Sequence, residues 1–110
     1  MGLFRKKHEG DAYGYDNRRG SISVNKDEAF TVKAIYNMYN KGVGIDDIAN
    51  LLNSANIPAK NGKRWEGDFI KGIIHDPLYI GCVKSDLASA DKNIAIIDND
   101  TYMKINYDVY

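Results

Sequence analysis

Apolar side chains recur at helical spacing in three stretches of this chain, and the first has clear signals at both ends. The recurring apolar residues of the first stretch are Phe30, Ala34, Ile35 and Met38. Asn25 precedes them as a suitable N-cap, and Glu28 stands three residues later, as in a capping box. Gly42 suits the left-handed position that follows a helix. The pattern predicts a helix over about residues 26–41.

Two further helices are predicted after short connections. One apolar face of the second is formed by Ile45, Ile48, Leu51 and Leu52. Asp46 and Asp47 lie in its first turn, where the helix dipole favours acidic side chains, and Asn56 before Ile57-Pro58 ends it. The third helix covers about residues 66–75. Its predicted core positions are Phe69, Ile70, Ile73 and Ile74.

Short strands are predicted on either side of these helices. They cover residues 13–15, 21–24, 78–83 and 94–97. Residues 16–20 have turn chemistry, residues 84–93 form a polar loop, and Asn99 suits the cap of a last helix. The predicted fold class is α+β. It is a small helix-turn-helix or winged-helix-like module in which short strands flank three main helices.

A basic turn over residues 59–65 is predicted between the second and third helices. Asn61-Gly62 is a strong signal for a tight turn. Trp65, at its base, is expected to anchor the turn in the core; the alternative is that its indole stacks on a nucleic-acid base. Lys71 and His75 are four residues apart, so we expect both to point outward from the third helix.

Composition narrows the class of protein. A chain of 110 residues fits one domain, and 44% apolar with 27% charged residues is ordinary for a folded protein. Cys82 is the only cysteine, which excludes an internal disulfide and a cysteine-based zinc site and fits a reducing compartment. The longest apolar run, residues 94–97, is far too short to span a membrane. We therefore expect no membrane partner and a cytoplasmic location.

The charge is balanced overall but uneven along the chain. Fifteen basic and fifteen acidic residues cancel. Residues 1–26 carry a net charge of +3, residues 27–56 carry −2, and residues 57–75 carry +2. Two positive segments therefore flank a negative one. A local positive face is what phosphate binding requires; the alternative is a mixed, solvated surface.

The ordered motifs of the chain point to a family. In sequence they are Gly14-Tyr15, Val24-Asn25, Glu28-Ala29, Ile35-Tyr36, Met38-Tyr39, Ile48-Ala49, Leu52-Asn53, Ile57-Pro58, Trp65, Ile73-Ile74, Pro77, Tyr79 and Gly81. Over about residues 13–106 this set resembles the recombinase domain of large serine recombinases, the integrases and resolvase-related enzymes of phages and mobile elements. Asp76 stands where that family usually has Asn, and Asp-Pro is expected to cap and turn in the same way.

The resemblance implies a role in binding double-stranded DNA. In that family an amino-terminal domain carries the serine nucleophile, and the recombinase domain holds an attachment half-site, working with other recombinase subunits. This chain is therefore not expected to be an enzyme by itself, nor to use a cofactor, a metal or a small-molecule substrate. A bacterial nucleoid location follows. Residues 1–12 are interpreted as a basic arm or severed linker, and residues 13–110 as the domain.

The family's nucleophile lies in a Tyr-x-Arg-x-Ser pattern, which Tyr15, Arg19 and Ser21 imitate with Tyr two residues too far upstream. Ser21 is therefore expected to be an ordinary strand residue. His8 and His75 lack ligand-spaced partners for a metal. We expect Lys63 and Arg64 to hold phosphates or probe a groove edge.

The candidate DNA-binding residues are Arg5, Lys6, Lys7, Arg18, Arg19, Lys60, Lys63, Arg64, Lys71 and His75. Lys71 and His75, on the third helix, are the candidates for base contact. Arg5, Lys6 and Lys7, at the amino end, resemble a linker that runs along the minor groove. The alternative function is a protein–protein interaction module of a recombinase assembly without strong DNA affinity of its own. The balanced charge and the tyrosines motivate this alternative.

Overall fold

A computed structural model describes residues 12–82 and 91–107 of the chain. Its strands are β1 (Tyr15–Arg18) and β2 (Ser21–Val24), and its helices are α1 (Lys26–Asn40), α2 (Ile45–Ser54), α3 (Gly67–Ile74) and α4 (Asn99–Tyr107). Short 3-10 helices cover Lys60–Gly62, Pro77–Ile80 and Lys92–Ile94. The α+β class is confirmed, with a two-stranded sheet before a cluster of helices in which α2 packs mainly on α3.

The two strands form an antiparallel hairpin that begins later than predicted. Tyr15 pairs with Val24 and Arg18 with Ser21, so only Arg19 and Gly20 form the loop. Both loop residues have positive φ, 55° and 84°, as a type I′ turn requires. The prediction of a strand over residues 13–15 and a turn over residues 16–20 was therefore wrong in its boundaries. A two-residue loop suffices to reverse the chain, which leaves Asp16 and Asn17 in β1.

Helix α1 begins with the predicted cap but only half of the predicted capping box. The Asn25 side chain accepts a hydrogen bond from the Glu28 N–H at 3.0 Å. The Glu28 carboxylate does not return to the Asn25 N–H, because that N–H donates to the Gly14 carbonyl at 2.9 Å. Instead, Oε1 of Glu28 accepts from the Gly14 N–H at 2.8 Å. The cap thus ties α1 to the chain entering β1.

The buried face of α1 differs from the predicted one. Phe30 is 77% exposed, whereas Ala29, Val32, Ile35 and Tyr36 are buried. Positions 29, 32 and 36 are three and four residues apart and share one side of the helix, so Phe30 falls on the opposite side. Leu51 of α2 is likewise 53% exposed, although its neighbours Ile48 and Leu52 are buried as predicted.

The strands predicted over residues 78–83 and 94–97 are not formed in the described parts of those ranges. Asp76 caps a 3-10 helix by accepting the Leu78 N–H at 3.0 Å, with Pro77 at its first position. Proline fixes a helical φ there, which explains why the apolar run turns instead of extending. Ile96 and Ile97 both donate to the single carbonyl of Tyr79, at 2.9 Å each, so no ladder of strand bonds develops.

Helix α4 begins at Asn99, one residue earlier than a cap at Asn99 would give. Asp98 takes the cap position, since its carboxylate accepts from the Thr101 N–H at 3.3 Å and from the Thr101 hydroxyl at 2.6 Å. The hydroxyl bond, more than any other contact, lowers the pKa of Asp98. Tyr102 faces the core from this helix.

Four buried tyrosines use their hydroxyls to satisfy backbone carbonyls. They are Tyr15, Tyr36, Tyr79 and Tyr102. The Tyr36 hydroxyl donates to the carbonyls of Ile73 and Ile74 at the end of α3, at 2.7 and 3.0 Å, where helical carbonyls lack partners of their own. Burial raises the pKa of all four phenols, that of Tyr102 to about 12.

Candidate nucleic-acid interface

The basic turn, residues 59–65, is a narrow loop closed by backbone hydrogen bonds. Asn61 and Gly62 at its tip both have positive φ, 61° and 74°, as expected for Asn-Gly in a tight turn. The Lys63 N–H donates to the Lys60 carbonyl at 3.3 Å, and the Ala59 N–H donates to the Lys63 carbonyl at 2.8 Å. The predicted tight turn is confirmed, and it leaves the side chains of Lys63 and Arg64 exposed.

Asn53 of α2 clamps the base of this turn. Its side-chain Nδ2 donates to the Trp65 carbonyl at 3.0 Å, and its Oδ1 accepts the Trp65 N–H at 2.9 Å. The indole Nε1 of Trp65 donates in turn to the Ile57 carbonyl at 2.9 Å. Two hydrogen bonds therefore fix the turn to α2, and a third fixes it to the segment that follows α2. Asn53 belongs to one of the sequence motifs, but its role could not be predicted because its partner lies 12 residues away.

Trp65 anchors the turn in the core, as predicted. It is 2% exposed, its ring stacks on Phe69 with centroids 5.1 Å apart, and Tyr13 meets it edge-on at 4.7 Å. The alternative in which the indole stacks on a base is wrong, because the buried ring has no surface free to receive one. Tyr13 and Tyr15 are also buried, which keeps their rings away from a phosphate backbone.

Lys60 differs from the other cations of the turn because its ammonium is engaged inside the protein. Its Nζ donates to Oε1 of Glu28 at 2.6 Å and to the carbonyl of Tyr15 at 2.8 Å, and it lies 3.9 Å from Oδ1 of Asp16. Its side chain is only 16% exposed. Glu28 was not among the predicted site residues, since a sequence separation of 32 hides the pairing.

The cations of the turn line one open surface depression of about 460 Å³. Its walls are Lys60, Asn61, Lys63, Arg64, Glu66 and Phe69. Three basic side chains thus face a single carboxylate at this surface. Long, flexible cations over a polar depression can neutralise phosphate oxygens without closing around a small molecule.

Helix α3 carries the two outward side chains that were predicted. Lys71 and His75 are both exposed. His75 lies at the carboxyl end of α3, and its Nδ1 is 2.6 Å from Oδ1 of Asn106 in α4. Asn106 also donates through Nδ2 to the carbonyls of Ile74 and Tyr102, at 3.2 and 3.0 Å. The imidazole is therefore oriented by α4, a contact that the sequence did not indicate.

The remaining predicted cations lie apart from the turn or outside the described residues. Arg18 and Arg19 are exposed at the tip of the β-hairpin. Arg18 is three residues beyond Tyr15, whose carbonyl binds Lys60, so it lies about 10 Å further along β1 at the usual strand rise. Arg5, Lys6 and Lys7, and with them the predicted basic arm, lie outside the residues that the structure describes.

Among residues 12–82 and 91–107, no three His, Cys, Asp or Glu side chains come together as a potential metal site. Within the same residues, no helix has the length and apolar character needed to cross a membrane. Ser21, the serine nearest to a nucleophile pattern, is the first residue of β2, as predicted.

Comparison with known proteins gives both a family and a fold. The family model described as Recombinase matches residues 26–109, more than half of the chain. A crystal structure of an LSR–DNA complex is similar at a TM-score of 0.68 and 20% identity, over 89% of this chain and 31% of that one. A structure concerned with the sequence requirements of the Listeria innocua prophage attP site is similar at a TM-score of 0.68 and 18% identity, over 92% of this chain and 42% of that one. These likenesses show a shared fold, and this chain spans less than half the length of either chain.

Proposed function

Because this chain belongs to the Recombinase family, we propose that it binds double-stranded DNA and holds an attachment half-site for serine site-specific recombination. The observation that carries the proposal is the rigid presentation of Lys63 and Arg64. They are exposed on a turn whose backbone Asn53 fixes to α2, so little order of the loop has to be gained on binding.

The proposed contacts divide by chemistry. Lys63 and Arg64 hold phosphates, while Lys71 and His75 face the base edges from α3, the helix beside the turn. Arg18 and Arg19 extend the phosphate contacts from the hairpin tip, and the segment that holds Arg5, Lys6 and Lys7 follows the minor groove. Lys60 contributes to the interface indirectly, from within the protein, through its bonds to the Glu28 carboxylate and the Tyr15 carbonyl.

The cutting of DNA is proposed to belong to another part of the recombinase assembly, so that this chain is a binding module. In support, Ser21 pairs with Arg18 across the hairpin as a regular strand residue. The printed description of one similar structure as an LSR–DNA complex supports DNA as the partner. Cytoplasmic action at the bacterial nucleoid, with no cofactor, accords with this role.

Fluorescence anisotropy tests the proposal with two labelled duplexes, a half-site from the boundary of the parent element and its scrambled version. We expect tighter binding to the half-site that weakens with salt. The double substitution Lys63→Ala with Arg64→Ala should reduce the slope of log affinity against log salt by about 0.9 for each lost phosphate contact. Lys41→Ala with Lys92→Ala, which removes the same charge from exposed positions elsewhere, is the matched control. Equal slopes in the two double variants would contradict the assignment of this turn.

A second candidate, a protein-interaction module of the recombinase assembly, has its own observation. Phe30, Leu51 and Tyr107 are 77%, 53% and 59% exposed, so three large apolar side chains are open to contact with a partner. Sedimentation velocity over a range of concentrations distinguishes the two. A concentration-dependent dimer with no affinity for either duplex favours this candidate, and a monomer that binds the half-site favours the first.

A further inference from the structure

We propose that Glu28 and Lys60 are positioning residues of the DNA interface, which hold the basic turn in the orientation that presents Lys63 and Arg64. The inference rests on the proposed function and deepens it. In this view, an internal ion pair contributes to DNA affinity by orienting the exposed cations that contact the DNA.

Three segments that are distant in sequence meet at this pair. Oε1 of Glu28, in the first turn of α1, accepts hydrogen bonds from the Gly14 N–H at 2.8 Å and from Nζ of Lys60 at 2.6 Å. The same Nζ donates to the Tyr15 carbonyl at 2.8 Å. One carboxylate and one ammonium therefore join the start of α1, the start of β1 and the basic turn. Removing either charge weakens the link between the turn and the first two segments.

The environment of the pair favours an orienting role over direct contact with DNA. The side chains of Lys60 and Glu28 are 16% and 21% exposed, whereas Lys63 and Arg64 are classed as exposed. The ammonium already has an anionic and a carbonyl acceptor at short distance, and a phosphate would have to displace them. A charge-assisted hydrogen bond of this kind is stronger and more directional than one between neutral groups.

The two roles predict opposite signs for one substitution. Glu28→Gln keeps an oxygen for the Gly14 N–H and removes the negative charge. If Lys60 binds phosphate directly, the loss of its competing anion frees the ammonium and tightens DNA binding. If the pair orients the turn, DNA binding weakens although the protein has become more positive. Electrostatics alone cannot produce that second result.

The decisive experiment measures affinity for the half-site duplex in wild type, Glu28→Gln and Glu66→Gln. Glu66 is exposed and lines the same depression, so its substitution makes the same charge change beside the same turn. We expect Glu28→Gln to bind about threefold or more weakly than wild type, and Glu66→Gln to bind as tightly or more tightly. Equal or tighter binding by Glu28→Gln would overturn the proposal.

A second pair of variants tests Lys60 itself. Lys60→Met keeps the aliphatic stem and removes the charge. It should weaken binding in the wild-type background but have little effect once Lys63 and Arg64 are both alanine, because no oriented cations then remain to be presented. A loss of equal size in both backgrounds, with a fall of about 0.9 in the salt slope, would show that Lys60 contacts phosphate and would overturn the positioning role.

Amide hydrogen exchange in the free protein separates this inference from the proposed function. We expect Glu28→Gln and Lys60→Met to speed exchange of the Lys63 and Ala59 N–H groups about tenfold, with no change at Ile48 in α2. Unchanged exchange at the turn would overturn the positioning role even if the duplex is bound. A wild-type chain that binds neither duplex overturns the proposed function, while the exchange rates still decide whether the pair holds the turn.

Discussion

The substitution Asn53→Ala tests whether the clamp on Trp65 holds the basic turn to α2. The change removes two hydrogen bonds, the Asn53 Nδ2 bond to the Trp65 carbonyl at 3.0 Å and the Trp65 N–H bond to Oδ1 at 2.9 Å. Asn53 is half-buried, so water replaces these bonds only in part. The turn then keeps the indole bond to Ile57 and the packing of the ring, but its backbone loses its link to α2.

The expected cost follows from the two lost bonds. At about 0.5–1.5 kcal/mol net for each, they contribute about 2 kcal/mol to the free energy of unfolding. Alanine is the better helix former by up to about 0.7 kcal/mol, which offsets part of the loss. The net destabilisation is therefore about 1.5 kcal/mol. Asn50→Ala, at an exposed position in the same helix, gains the same propensity without losing the clamp, so the two variants should differ by about 2 kcal/mol.

Urea unfolding measures this difference, with fluorescence of Trp65, the only tryptophan, as a reporter inside the affected turn. Far-UV circular dichroism of the same samples checks that the whole chain unfolds in one transition. With an m value of about 1.5 kcal/mol/M, the midpoints of the two variants should lie more than about 1 M apart. Coincident midpoints for Asn53→Ala and Asn50→Ala would refute the reasoning, since the clamp would then contribute nothing.

Two further predictions concern the rest of the fold. Gly81→Ala should cost more than about 3 kcal/mol in the free energy of unfolding, because φ is +97° and the new Cβ would lie 2.3 Å from the Asp91 carbonyl oxygen. Gly20 has a φ of +84°, but no atom lies within 4 Å of a Cβ added there, so Gly20→Ala should cost only the left-handed backbone energy of about 1 kcal/mol. Equal losses of stability for the two variants in urea unfolding would contradict the prediction. Stability should also fall above about pH 10, because the unfolded chain releases tyrosine protons there while the folded chain retains them, Tyr102 until about pH 12. The slope is up to about 1.4 kcal/mol per pH unit for each buried tyrosine, and equal urea stability at pH 8 and pH 11 would argue against it.

The helices could be predicted from the sequence because their ends are marked by local chemistry. Asn25 caps α1, Gly42 has a φ of +97° after it, and Asn56 takes the left-handed position after α2, all as predicted. Residues 78–83 were misassigned because a short apolar run reads equally as a buried strand or a buried turn. Asp76-Pro77 decides between them locally, by capping a helical turn.

The family could also be recognised from the sequence, and the match of the Recombinase model over residues 26–109 confirms that resemblance. The different roles of the cations within the basic turn could not be predicted from the sequence. Lys60 and Lys63 are alike as residues, yet one is bound to Glu28 and the other is exposed. That difference depends on a contact across 32 residues, which no local pattern encodes. The DNA-binding roles of the predicted cations remain predictions.

The tyrosine hydroxyl bonds have a consequence for the order in which this protein folds. Tyr15 donates to the carbonyl of Ile94, 79 residues later, and Tyr79 donates back to Tyr13, 66 residues earlier. Such distant pairings form only after long loops close, so they slow folding relative to helix formation. On the ribosome, the hairpin must wait for Ile94 to emerge before Tyr15 has both of its acceptors. Helices α1, α2 and α3 are therefore expected to assemble first, and the docking of the β-hairpin through Tyr15 to complete the fold last.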